Sequence, residues 1–71
     1  MTVREFIEKY DGFDWENGEV VLVNHSNSST YICKALNGGL NINGVSMWID
    51  EMWILDWKHT DSTMVISVYI R

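Results

Sequence analysis

Apolar residues recur along this chain at two spacings, and the change from one to the other divides it into elements. Near the start, Val3, Phe6, Ile7 and Tyr10 stand at i, i+3, i+4 and i+7, a single helical stripe, with Arg4, Glu5, Glu8 and Lys9 off it. Thr2 and Glu5 form a capping box: the hydroxyl accepts from the amide three residues on, and the carboxylate reaches back to the Thr2 amide. The spacing predicts a helix over Val3 to Tyr10, ended by Asp11-Gly12, with Gly12 as the residue that tolerates the left-handed conformation after a last turn.

The period then shortens to two. Glu19 to Asn24 is a β-branched run that predicts a strand, Thr30 to Leu36 predicts another, and the polar stretch His25-Ser26-Asn27-Ser28-Ser29 joins them as a hairpin. Asn37-Gly38-Gly39 signals a turn. Leu40 to Ile49 follows no period and is read as an irregular excursion or one short helical turn around Val45, Trp48 and Ile49. Glu51 to His59 alternates, with Trp53, Leu55 and Trp57 on one face against Ile54, Asp56 and Lys58 on the other. Met64 to Ile70 alternates likewise, and Thr60-Asp61-Ser62 makes the turn between them. Together these predict one α+β domain over residues 1–71, its N-terminal helix packed on a four-stranded antiparallel sheet of two hairpins.

The proportions of these elements leave part of the sheet uncovered. Four strands of about seven residues make a sheet of roughly 19 by 23 Å, whereas a two-turn helix is ~12 Å long and about 10 Å wide. One helix cannot cover a whole face. The second face is therefore expected to be solvated, through Lys34, Asp56, Lys58 and Ser67, or closed by the 40–50 excursion and by another molecule. A chain this short buries only about 60% of its unfolded surface, so association is a natural supplement to its thin core.

Three stretches resemble a group of small proteins from phages and mobile elements of gut Firmicutes: Thr2 to Tyr10, Glu19 to Val23, and Met64-Val65-Ile66-Ser67-Val68-Tyr69-Ile70. Proteins of that group begin with a similar Thr-Val-Lys-Glu-Leu type of helix and end in a hairpin rich in Val and Ile. The likeness covers about a third of the chain, and the Trp-rich segment 48–57 departs from it. It implies an accessory protein of a mobile element, a class that includes small acidic inhibitors of host defence, and it assigns no site residue.

Composition narrows the chemistry. Ten carboxylates face only five Lys and Arg, for a formal charge of −5, which argues against a surface that tracks nucleic-acid phosphate. A single Cys33 cannot form an internal disulfide, the N-terminal residues are polar, and the longest apolar runs are four residues, so a cytoplasmic protein without a membrane segment is expected. His25, His59 and Cys33 show no metal-ligand spacing, and no glycine loop is followed by Gly-Lys-Ser. Neither metal nor other cofactor is expected, and no enzyme activity.

What stands out is the four tryptophans, of which Trp15, Trp53 and Trp57 lie within three positions of Asp14, Glu16, Asp56 or Lys58. Rings supply desolvation energy and carboxylates steer a basic partner toward them, so Asp11, Asp14, Trp15, Glu16, Asp56 and Trp57 are the candidate partner-binding residues. The carboxylates also have a simpler reading as a solubilising surface. The expected function is that of a non-enzymatic protein-binding module, a small acidic inhibitor or adaptor that occupies a basic nucleic-acid-binding surface. A self-associating structural protein, a homodimer closing its exposed sheet face or edge, is the alternative.

Overall fold

A computed structural model describes residues 1–36, 39–42, 45–46 and 51–70, with backbone alone at 34–36, 39–42 and 45–46. The capping box opens helix α1, Val3–Lys9: Thr2 Oγ1 accepts from the Glu5 amide at 3.2 Å, and Glu5 Oε1 accepts from the Thr2 amide at 3.0 Å. Tyr10 closes the helix by donating its amide to the Phe6 carbonyl at 2.8 Å, and its backbone is already extended. Val3, Phe6 and Ile7 form the buried stripe that the spacing predicted. Gly12 does not act as expected. It is not left-handed; its lack of a side chain gives the Tyr10 ring a place to fold back, since a Cβ there would lie 2.6 Å from the Tyr10 hydroxyl.

Among the described residues six strands follow: β1 Glu19–Asn24, β2 Ser29–Leu36, β3 Gly39–Ile42, β4 Val45–Ser46, β5 Met52–His59 and β6 Thr63–Ile70. They form one sheet in the order β4-β3-β2-β1-β6-β5. Its body is the four long strands predicted from the alternating runs, arranged as the hairpins β1–β2 and β5–β6. The two hairpins meet through β1 and β6, which run parallel, so the sheet is mixed and not the purely antiparallel one expected. Alternation records which face a residue occupies and is silent on the direction of the neighbouring strand. Both strands of the junction are flanked on either side, and their apolar character is that of central strands.

Residues 39–42 and 45–46 after β2 are not the irregular or helical excursion expected, because as β3 and β4 they extend the sheet past β2, with Leu36 opposite Gly39 and Ile42 opposite Val45. Asn37 and Gly38 of the expected turn, and Trp48 and Ile49 of the expected helical turn, lie outside the described residues.

The core lies between α1 and one face of the sheet. Val20 and Leu22 of β1, Met64, Ile66 and Val68 of β6, Cys33 of β2 and Met52 of β5 pack against Val3, Phe6 and Ile7, with Phe13 from the loop that follows the helix. Along β5 the face changes midway. Ile54 pairs with Val68 and Asp56 with Ser67, which leaves Leu55 as an extra residue in a bulge. Before it, Met52 and Ile54 point to the helix; after it, Trp57 and His59 do, opposite Ile66 and Met64. The expected grouping of Trp53, Leu55 and Trp57 on one face is therefore broken: Trp53 pairs with Tyr69 on the face away from the helix.

Candidate functional site

The bulge assembles a cluster of rings at one end of the helix–sheet interface. Trp57 lies 5.1 Å from Phe6 and 4.8 Å from Tyr10 between ring centres, and stacks on His59 at 5.9 Å. Phe6 stacks on Tyr10 and meets the edge of Trp15, and Phe13 meets both Trp15 and His59 edge-on. Edge-on and tilted contacts at such distances match the positive rim of one ring to the negative face of the next.

Hydrogen bonds fix the cluster in place. The Trp15 indole N–H donates to the Tyr10 carbonyl at 2.7 Å, which ties the loop to the end of the helix. His59 Nδ1 lies 2.8 Å from the Thr60 carbonyl, an obligate acceptor, so Nδ1 carries the proton. In the neutral ring Nε2 then accepts from the Tyr10 hydroxyl, 2.6 Å away. Both nitrogens of His59 are thereby engaged: Nδ1 orients the ring on the neighbouring carbonyl, and Nε2 ties the end of α1 to β5.

The acidic residues of the loop differ in their tasks. Asp14 is exposed, but its carboxylate accepts from the amides of Glu16 and Asn17, each at 3.2 Å, and from the Asn17 side chain at 3.0 Å. Those bonds, the Asn17 side chain first, hold its carboxyl below the ordinary range. Gly18 completes this loop by lying under Phe13: a Cβ there would stand 2.6 Å from the Asp14 carbonyl oxygen. Asp11 and Glu16 are exposed on the same loop.

The structure thus places Trp15 and Trp57 each in contact with Phe6, with Asp11, Asp14 and Glu16 on the loop that carries Trp15. Trp15 is partly buried, whereas Trp57 keeps 39% of its surface exposed. Asp56 does not join them on that face. It shares the far face with Ser67, and its carboxylate accepts from the Trp57 amide at 2.8 Å. Phe6, Tyr10, Phe13 and His59 belong to the cluster and were not among the partner-binding residues expected from the sequence; the signal was the coincidence of a helical stripe ending in Tyr10 with a loop of Phe13 and Trp15.

Among the described residues the other ligand-type side chains do not converge on a site. Among the described residues no three His, Cys, Asp or Glu side chains are grouped as a metal would require. Cys33 is buried, its Sγ 3.4 Å from the Val20 carbonyl oxygen, and burial pushes the thiol up to about 11. His25 is exposed in the β1–β2 turn. Among the described residues no helix is long and apolar enough to cross a membrane.

Two rows across the far face of the sheet are apolar at their centre and end in a polar residue on β5. Val21, Val65 and Ile32 form one row, closed at the β5 end by Lys58; Val23 and Ser67 form the next, closed by Asp56. Ile32 keeps 64% of its surface exposed. Comparison with known proteins gives no match to a family model, to a curated protein or to a solved structure.

Proposed function

We propose that this chain is a non-enzymatic protein-binding module, a small acidic inhibitor or adaptor of a phage or mobile element, which docks on a basic surface such as a nucleic-acid-binding groove. The observation that carries the reading is Trp57. It is a large ring held firmly by Phe6, Tyr10 and His59, yet still exposed, close to a loop that presents Asp11 and Glu16. A ring fixed before binding loses little side-chain entropy when it is covered, which is what makes an aromatic anchor effective. The formal charge of −5 supplies the long-range attraction toward a basic partner.

In this arrangement Trp57 anchors, Asp11 and Glu16 steer, and Trp15 and Asp14 shape the loop that carries them. Affinity capture from the host cell, run in parallel with wild-type protein and with Trp57→Ala, tests the reading. Retention of one basic protein by the wild type and its loss with the variant, at unchanged circular dichroism, is the expected result. Equal retention by both places the contact elsewhere.

A further inference from the structure

The outer edge of β5 is only half used. Met1 and Thr2 lie along its first part: the Ile54 N–H donates to the Met1 carbonyl at 3.0 Å, and Thr2 bridges to Trp53. Among the described residues nothing pairs with the edge from Leu55 to His59. The register fixes which backbone groups face outward there. The Thr60 N–H donates to the Thr63 carbonyl at 2.9 Å, which makes Thr60 and Thr63 a hydrogen-bonded pair. Alternation then directs the backbone groups of Lys58 and Asp56 toward β6 and those of Trp57 and His59 away from it. The Trp57 N–H agrees, since its acceptor is the carboxylate of Asp56 and not a strand.

The sequence of this open stretch is self-complementary. Asp56 and Lys58 flank Trp57 symmetrically and share the far face, while Trp57 points to the helix side. If a second β5 runs antiparallel with the two-fold axis beside Trp57, each Asp56 stands opposite the other copy's Lys58, and the two Trp57 residues stand opposite each other. We propose that a second copy of this chain adds to the β5 edge in this register and continues the sheet through a two-fold axis.

The pairing satisfies each group that it displaces. The Trp57 N–H leaves its own Asp56 for the carbonyl of the opposite Trp57, and the released carboxylate meets the opposite Lys58. Opposite charges directly across a strand pair are favourable, and flanking pairs without backbone bonds bring their side chains closest. Both ends of the contact are bounded. Leu55 stands opposite His59, and the next step would set Ile54 against Thr60, where Met1 covers one strand and the turn begins in the other. An isologous contact of this kind closes on itself and does not propagate into fibres. The like net charge of two copies opposes association at long range, but the paired stretch is locally neutral, and at physiological salt more distant charges are screened beyond about 8 Å. So short a contact is weak, with a Kd expected between about 1 μM and 1 mM.

Sedimentation equilibrium of the pure chain, with Asp56→Lys and Lys58→Asp made separately and together, tests this register. Each single variant sets like charges opposite each other twice, and is expected to weaken the dimer by about tenfold or more. The double variant restores opposite charges and is expected to return to within about threefold of wild type. An equimolar mixture of the two single variants is expected to form a heterodimer, because one supplies two lysines and the other two aspartates. Wild-type protein that stays monomeric up to about 1 mM overturns the proposal. So does a dimer indifferent to the single exchanges, or a mixture that stays monomeric. Circular dichroism and thermal midpoints confirm that these variants, exposed in the monomer, remain folded. No basic partner is present in the measurement, so its outcome does not bear on the docking reading.

Discussion

Gly12 and Gly18 each lie beside an aromatic ring that depends on the missing side chain. A Cβ at Gly12 would stand 2.6 Å from the Tyr10 hydroxyl, which is itself tied to His59, and a Cβ at Gly18 would stand equally close to the Asp14 carbonyl oxygen. The Tyr10 hydroxyl cannot move without breaking its bond to His59, and the Asp14 carbonyl is held by the Gly18 amide at 2.8 Å. Gly12→Ala and Gly18→Ala are therefore expected to destabilise the protein by about 1–3 kcal/mol, the usual cost of overpacking, seen as lower thermal midpoints. Ile66 and Ile32 make a second contrast at this scale. Ile66 is wholly buried between neighbouring strands under the helix, and Ile66→Ala is expected to cost about 2–5 kcal/mol. Ile32→Ser, on the open face, is expected to change stability by no more than about 0.5 kcal/mol. A shared response of the two isoleucines in chemical denaturation would mean that the faces are assigned wrongly. Cys33 supplies a probe of the same core: burial holds the thiol neutral at pH 8, so iodoacetamide should react with the native chain only as fast as the chain opens. Immediate labelling would contradict the packing.

At the scale of elements, α1 was legible because its capping box and stripe are local, and the strands were legible from their alternation. The bulge in β5 was not. Trp53, Ile54, Leu55, Asp56 and Trp57 offer large apolar residues at every position but Asp56, so the run fits an unbroken strand as well as a bulged one. The local clue is Asp56, whose carboxylate occupies the Trp57 amide that faces away from β6. The parallel meeting of β1 and β6 was illegible for a different reason, since each hairpin carries its own register and either order of assembly buries the same residues. Helix α1 allows a test by pH. Its capping bonds to Thr2 hold Glu5 below its ordinary pKa in the folded chain. Stability from this group is complete above the ordinary carboxylate pKa and is lost as pH falls through the lowered folded value. Thr2→Ala removes the hydroxyl bond, so the variant should show a smaller loss of thermal midpoint across that acid range than the wild type. An equal loss in both would detach Glu5 from the acid response.

The described residues form a short helix on one face of a wide mixed sheet, and among them nothing covers the apolar centre of the other face. That the helix is too short to match the sheet followed from element lengths, and the acidity followed from composition. Which tryptophan is presented did not follow, because it depends on the bulge: Trp15 is locked by its N–H to Tyr10, and Trp57 is the exposed ring of the cluster. On the proposed docking reading the six candidate residues separate into an anchor, steering charges, loop supports and an edge carboxylate. Separate anchoring and steering roles are the central claim, and they predict separate kinetic effects. The most direct measurement is the rate of association with the captured basic partner, followed against salt, for the wild type, Asp11→Asn with Glu16→Gln, and Trp57→Ala. Slower association and a flatter salt dependence are expected for the charge variant, and unchanged association with faster release for Trp57→Ala. A partner whose rates are the same for all three proteins would contradict the claim.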